Sequence, residues 1–414
     1  MKLDKVKLTL TKYRMKSFRL RIKTGTKKYK KHEVPASLIT SMMIAEEYDK
    51  YYYPYFYVEF SVPNSIHRLM MKHSTGILVD LQLQKAKVKQ GVNLDTEKNP
   101  TFKNALKETF VVVFDKNSPD LTEKSQASVE KDENKYGQLT TIGVLLYNTK
   151  YFNKCDKVVN TVLDNVSLVD ALAYTFNQGK VKNILLSPPA NYKHRKQFVL
   201  TPISVKEQAE RIANEEHLHK KGSIVFFGTN RGYVIDKTPK CTAYTKNEYK
   251  TTYIAASSVT RAVKDTGGCY TNTKKKYNVL NAVTMDFQNR SSVTKKTAGS
   301  NVVIVSDSGK ITKTNKKSSN VNKVVVGSRN ATSIKRAMNE AKHIATIGFR
   351  DVDIGMLTPN KQFVLALEGA KLKKYNGKYR LSQVFHYFEK EGDYFQLESQ
   401  AIFKGSSLKS KKKK

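Results

Sequence analysis

The chain has 414 residues, more than one core usually spans, and sets 74 Lys and Arg against 36 Asp and Glu for a formal charge of +38. The length leads us to expect two or more domains with a sizeable core. The charge points to an anionic partner such as nucleic acid, an acidic protein surface or a cell-wall polymer, or equally to a compositional bias that leaves the lysines as a solvated surface. Cys155, Cys241 and Cys269 are far apart, odd in number and without CxxC spacing, which excludes a disulfide framework and a zinc site as readings. No apolar run is long enough to span a bilayer, and the N-terminus alternates charge with apolar residues instead of forming the hydrophobic region of a signal peptide. A soluble, reduced protein made in the cytosol is the expectation.

Residues 6–22 alternate as a strand pair would, with Val6, Leu8 and Leu10 on one face and Phe18, Leu20 and Ile22 repeating the pattern after Lys16. Residues 1–31 hold thirteen Lys or Arg against the single acid Asp4, either a basic contact face or a solvated edge that resists aggregation. Residues 38–63 hold a strand, an acidic turn-like interruption and an aromatic strand from Tyr55 to Val62. Tyrosines interleaved beside lysines can stack bases, but aromatic residues also suit any half-buried strand. Asn64 is placed to cap a short helix, Ser65–His73, and Gly76 to release the chain into a strand over Ile77–Val88. A polar excursion precedes a buried strand at Thr109–Asp115, residues 116–136 read as an exposed loop, and alternation resumes from Gln138 to Tyr147. This order predicts an antiparallel barrel or sandwich for the first 150 residues or so.

From Ser167 to Asp236 several local signals agree on one module. Ser167 can cap a helix with Asp170 in its first turn, and Leu168, Leu172 and Phe176 form its apolar stripe. Gly179 is expected to close that helix. The segment NILLSPPANYKHRKQFVL then supplies a strand, an extended Pro188–Pro189 link, a basic turn and a strand. Ser204 with Glu207 makes a capping box for a second helix whose Val205, Ala209, Ile212 and Ala213 face one way. Gly222 ends it, and SIVFF, GTNRG and YVID read as a hairpin with its tip.

No catalytic, cofactor or metal site emerges from these residues. His217 and His219 lie beside Glu215 and Glu216, but an i, i+2 pair does not share a helical face and no third ligand is evident. GTNRG lacks the spacing and following helix of a phosphate loop. Glu207, Glu210, Glu215 and Glu216 have the spacing of a solvated helical face.

Beyond residue 238 the pattern weakens. EYKTTYIAAS and SNVVIVSDSGKI are strand candidates within what reads as an irregular insertion over 256–330. Ala331–Ile347 carries Ile334, Met338, Ala341 and Ala345 at helical spacing, with Gly348 as its stop. A meander follows: Gln362–Leu367, Lys378–Glu389 and Asp393–Phe403. Asn376-Gly377 suits a type I′ turn, and Glu391-Gly392-Asp393 marks the next reversal. His386 in the middle strand is a packed or cross-strand residue on this reading. The terminal KSKKKK is expected to be a solvated, disordered tail or an electrostatic tether.

VSLVDALAY, NILLSPPANY and IVFFGTNRGYVID, in that order, resemble the middle of baseplate hub proteins of contractile-tailed bacteriophages, which are similar to late-control tail proteins and to the hub portion of type VI secretion spikes. YPYFYVEFSVPNSIHRLMMKH with GILVDLQLQ resembles the first barrel of such hubs, and LTPNKQFVL with YRLSQVFHYFEKEGDYFQLESQAIFK resembles the closing strands of the second. The resemblance runs from about Ile39 to Lys404 and leaves the 256–330 insertion and the basic balance unmatched. It implies a mainly β (α+β) chain with two antiparallel, tail-tube-like β-barrel domains, at 1–160 and 241–404, around a helix-plus-hairpin module at 161–240, with a basic tail at 405–414. It further implies a structural, non-enzymatic virion protein assembled in the host cytoplasm. Such a protein forms a homotrimeric, pseudo-sixfold ring that joins the sixfold tail tube to the threefold central spike. The implied partners are the tail tube protein, the central spike, the tape-measure protein and neighbouring baseplate proteins, with transient contact to phage DNA and no membrane insertion. Two other classes stay open from the residues alone: a basic nucleic-acid or polyanion binder using the N-terminal strands, the Tyr51–Tyr57 cluster and the lysine tail, and a tail-associated wall hydrolase needing paired carboxylates.

Overall fold

The N-terminal alternation forms one strand instead of two. Strand β1 (Thr9–Lys23) buries Thr11, Tyr13 and Met15, then Phe18, Leu20 and Ile22, so the buried face changes from odd to even positions. A register shift between Met15 and Ser17 against β5 (Ile77–Lys89) accounts for it: one extra residue lets both halves face the same core. The computed structural model describes residues 9–26, 28–89, 101–114, 138–220, 222–237, 251–256, 267–272, 277–289, 302–305, 311–312, 323–325, 343–367 and 375–407. The expected loop at 116–136, the tail at 408–414 and Cys241 lie outside them.

After β1 come β2 (Tyr29–Glu33), β3 (Ile39–Glu47), β4 (Tyr55–Pro63), helix α1 (Asn64–Lys72), β5, β6 (Lys103–Phe114) and β7 (Leu139–Asn148). They pair antiparallel in the order β3-β4-β7-β6-β5-β1. Phe56, Val58 and Phe60 of β4 and Ile77, Val79, Leu81 and Leu83 of β5 point into one core, as period-2 alternation requires. Asn64 does not cap α1. Pro63 takes the cap position without a side-chain bond, and Asn64 binds the side chains of Gln138 and Thr140 instead.

The module consists of β8 (Val158–Val166), α2 (Leu168–Gly179), β9 (Ile184–Leu186), β10 (Arg195–Ser204), α3 (Val205–Glu210) with a π turn over Arg211–Glu215, β11 (Ser223–Phe227) and β12 (Gly232–Asp236). Both capping boxes form: Ser167 with Asp170, and Ser204 with Glu207. The α2 stripe of Leu168, Leu172 and Phe176 and the α3 set of Val205, Ala209, Ile212 and Ala213 share one core with Phe198 and Leu200 of β10. Gly179 is the last helical residue of α2, and the left-handed cap is Lys180 at φ 56°. Gly179 is needed for space, since a Cβ there would lie 2.9 Å from Val205 Cγ2.

The C-terminal strands are β13 (Thr251–Ala256), β14 (Cys269–Asn272), β15 (Tyr277–Ala282), β16 (Thr284–Asn289), β17 (Val302–Val305), β18 (Ile311–Thr312), β19 (Lys323–Val325), β20 (His343–Arg350), β21 (Gln362–Leu365), β22 (Gly377–Glu391) and β23 (Tyr394–Ser407). Three expectations are corrected here. The region read as an irregular insertion contributes β14, β15 and β16 to the main sheet. His343–Ile347 is strand, pairing with β23 from His343↔Gly405 to Arg350↔Glu398, and Gly348 sits within it; residues 331–342 of the expected helix lie outside the described residues. Ala345, Ile347 and Phe349 alternate with the period of a strand and are buried, and of the apolar set at helical spacing only Ala345 falls within β20. Asn376-Gly377 is not a tight turn: Gly377 already pairs with Leu365, and the Asn376 amide clamps the Leu367 peptide through bonds of 2.7 and 3.0 Å. The Gly392 reversal does form, with φ 60° between the paired Glu391 and Tyr394.

The molecule is mainly β, with a closed barrel of 11 strands in the order β14-β15-β13-β21-β22-β3-β4-β7-β6-β5-β1, sealed at Thr9↔Cys269. The β22–β23 ribbon runs along it and belongs to both groups of strands. Its tip is flanked by β3 through Gln383–Glu389 and by β1 at Tyr13↔Phe395, whereas its base is flanked by β21 through Gly377–Tyr379 and by β20 from Glu398 onward. A register shift between Leu381 and Gln383 marks the change of partners on β22.

Candidate functional site

The described residues converge on a junction where the module, the N-terminal strands and the β22–β23 ribbon meet. The end of β3 and the loop after it carry two half-buried carboxylates into it, Glu46 and Asp49.

Asp49 is held by four residues from other parts of the chain. Arg380 donates to both its oxygens at 3.0 and 2.9 Å, the Ser382 hydroxyl at 2.7 Å and the Lys404 ammonium at 2.9 Å, while Lys237, just after β12, lies 4.0 Å away. Ser382 occupies the register shift of β22, and its carbonyl accepts from the Tyr48 amide at 3.1 Å. One carboxylate thereby fixes the bend of the ribbon, both its strands and the end of the module. Burial raises the Asp49 carboxyl, but the Arg380 charge and hydrogen bonds, with Lys404 and Ser382, outweigh it and hold it well below the ordinary carboxylate range.

Glu46 meets neutral donors. Its carboxylate accepts from the Tyr48 hydroxyl and from the Thr229 amide at the hairpin tip, and burial pushes it above the ordinary range despite both bonds. The GTNRG tip is therefore seated and not free. Asn148 donates to the Thr229 carbonyl at 2.7 Å, the Asn183 side chain to the Asn230 carbonyl at 2.9 Å, and the Phe227 amide to the Tyr52 carbonyl at 2.7 Å. Both glycines of the tip are sterically required: a Cβ on Gly228 would press on the Arg231 carbonyl at 3.0 Å, and one on Gly232 would collide with Ile184. Tip and barrel enclose a cavity of about 270 Å³ walled by Ile44, Glu46, Lys85, Arg231, Tyr233 and His386.

The far wall of that cavity is a strap over residues 351–357. Tyr13 donates to the Val352 carbonyl at 3.1 Å and accepts from the Ile354 amide at 2.9 Å; Lys85 grips both oxygens of Asp353 at 2.6 Å, and Lys12 meets Asp351 at 3.1 Å. His386 bonds the Ser399 hydroxyl across the strands at 2.8 Å, and burial drives its imidazole down to about 3, so it is neutral.

The histidine pair of the module separates. His217 takes a left-handed turn at φ 56°, whereas His219 is buried with its two ring nitrogens on the hydroxyls of Ser187 at 2.8 Å and Ser223 at 2.7 Å. Among the described residues no group of three metal-ligating side chains forms, and no helix is long and apolar enough to cross a membrane. Glu207 caps α3, Glu216 pairs with Arg195 at 2.6 Å, and Glu210 bonds the Asn214 amide. Asp49 and Glu46 were marked in the sequence only as acids in an aromatic segment, because Arg380, Ser382, Lys404 and Thr229 lie far along the chain.

Solved structures similar to the chain are tail and secretion proteins. The tail protein from Neisseria meningitidis MC58 is 12% identical with a TM-score of 0.43, each chain being covered to 96%. The 43 kDa tail protein of prophage MuSo2 from Shewanella oneidensis is 9% identical with a TM-score of 0.44, over 94% of this chain and 98% of that one. The E. coli c3393 protein, a type VI secretion component with structural similarity to the T4 bacteriophage tail proteins gp27 and gp5, is 8% identical with a TM-score of 0.38, over 94% of this chain and 77% of that one. No curated protein sequence matches. A family model does, over residues 8–412, and the chain belongs to the family of the bacteriophage PBS1 gene 109 protein.

Proposed function

We propose that this protein is a baseplate hub: a structural virion protein that forms a homotrimeric, pseudo-sixfold ring and joins the sixfold tail tube to the threefold central spike. Membership in a bacteriophage protein family along nearly the whole chain supports a phage role. The observation that carries the hub reading is the shared ribbon. The tip of β22–β23 completes a circuit with β1, β5, β6, β7, β4 and β3, and its base continues into β21, β13 and β15 on one side and β20 and β16 on the other. One subunit then offers two adjacent curved sheets, as a trimer needs in order to present six similar surfaces. In this reading residues 1–160 and 241–404 are the two barrel domains, with ribbon strands shared between them, 161–240 is the module that braces them, and the expected basic tail starts only after β23 ends at Ser407.

The role is assembly and not turnover. The carboxylates at the junction are taken up in holding strands together. The partners in this reading are the tail tube protein, the central spike, the tape-measure protein and neighbouring baseplate proteins, joined in the host cytoplasm. Sedimentation of the purified protein with negative-stain imaging tests it. A ring-shaped trimer is expected; a chain that stays monomeric at all concentrations and forms no ring overturns the reading.

A further inference from the structure

We propose that a lysine-lined groove at the C-terminal end of α2 binds the phosphate backbone of nucleic acid, a site independent of whether the trimer forms. The groove holds about 480 Å³ and is lined by Lys150, Lys154, Asn177, Lys180, Val181, Lys182 and Asn183, with more carbon than polar surface exposed in it. Four of the seven lining residues are lysines, and none is an acid. Lys150 is held by Glu108, but among the described residues no ion pair engages Lys154, Lys180 or Lys182. The neighbouring Asp156 is already neutralised by Lys206.

A helix C-terminus ordinarily repels anions through its unsatisfied carbonyls. Here three of the last four carbonyls are occupied: the Val181 amide donates to Phe176 at 2.8 Å, the Lys180 amide to Asn177 at 3.0 Å, and the Lys157 ammonium to Gln178 at 2.7 Å. Three left-handed residues, Asn153 at φ 63°, Lys180 at φ 56° and Asn183 at φ 62°, shape the turns around the groove. Non-glycine residues hold that conformation at a cost, and such positions cluster where the chain presents a surface for use.

The chemistry selects phosphate. Lysine is a point charge suited to phosphate, whereas carboxylate partners favour the two-pronged guanidinium, and the groove contains no arginine. It also holds no aromatic side chain on which a base could stack, so binding would follow the backbone and ignore sequence. Asn183 lines this groove and reaches the hairpin tip through its bond to Asn230, next to Arg231.

The test compares the wild-type protein with Lys154→Glu/Lys180→Glu/Lys182→Glu and with a control of equal charge change, Lys23→Glu/Lys30→Glu/Lys31→Glu, on the exposed β1–β2 edge. Fluorescein-labelled duplex DNA and labelled single-stranded RNA are titrated in increasing salt, after circular dichroism has established that all three proteins are folded. The groove variant is expected to weaken binding at least about tenfold and to flatten the slope of log Kd against log salt by about 3, roughly one for each lost phosphate contact. The control should keep both. Whichever probe binds identifies the nucleic acid. Binding of neither probe to the wild type, or equal losses in the two variants, overturns the proposal. Displacement of the probe by polyglutamate as readily as by polyphosphate overturns it too, since the groove would then take carboxylates equally well.

Discussion

Glu46 and Asp49 lie three residues apart, both half-buried at the same junction, and are driven in opposite directions. Asp49 faces Arg380 and Lys404 and stays ionised, whereas Glu46 meets a tyrosine hydroxyl and a backbone amide and is pushed toward its neutral form. Burial penalises both charges, so partners decide the outcome. Two neutral donors do not outweigh desolvation, but a bidentate guanidinium with an ammonium does. The consequence is a division of labour. Asp49 locks the ribbon by charge, and Glu46 seats the hairpin tip by hydrogen bonding without demanding a counter-ion.

Removing the guanidinium should break this contrast most severely. Arg380→Met leaves Asp49 buried with Lys404 alone as a close cation and is expected to destabilise the fold by roughly 3–5 kcal/mol in urea unfolding, as when one partner of a buried pair is lost. Adding Asp49→Asn to that variant should recover part of the loss. If Arg380→Met unfolds at the wild-type midpoint, the junction does not depend on the charged lock.

His386, in the same cavity wall as Glu46, sharpens the contrast by supplying a buried base with no ionised partner in contact. Its folded value of about 3 lies below the unfolded one, so the native state resists protonation. Stability is expected to fall as pH drops below about 6.5, at up to ~1.4 kcal/mol per unit. His386→Asn should flatten that slope in denaturation series run at successive pH values.

The two carboxylates should themselves give pH profiles of opposite sign. Asp49 is depressed, so its contribution is complete above its unfolded value of about 3.9 and is lost as pH falls toward the folded one; Asp49→Asn should therefore cost most at neutral pH and least in acid. Glu46 is raised, so ionising it costs stability as pH climbs from the unfolded value of about 4.3 through the folded one. Glu46→Gln should gain relative to wild type at neutral pH and show no gain in acid. Parallel profiles for the two variants would remove the contrast. Ser204→Ala is the small-effect control: losing the α3 cap should cost about 1 kcal/mol at every pH above the carboxylate range and leave the junction unchanged.

The module was the most legible region. Its two capping boxes, its apolar stripes and the hairpin with its two glycines depend on residues three to ten positions apart, and local geometry alone dictates them. The strands of the first 150 residues were legible for the same reason, apart from the β1 bulge. There the change in alternation was visible in the sequence, but a turn and a bulge leave the same trace until a partner strand is known. The 331–347 reading failed at its C-terminal end, where Ala345, Ile347 and Phe349 alternate with period 2 and pair with a long strand. The junction was invisible because it joins Asp49 to Arg380, Ser382 and Lys404, residues more than 300 positions away.

By itself, the sequence determined a strand-rich chain with an inserted, doubly capped helix and hairpin module, because period, caps and turn glycines act within a few residues. Only the tertiary structure decided that β22 and β23 pair with both N-terminal and C-terminal strands, that the hairpin tip is seated against a glutamate whose carboxyl burial raises, and that Lys150, Lys154, Lys180 and Lys182 line one groove. Those features rest on which distant segments meet, and the desolvation that sets each charge exists only once they have met.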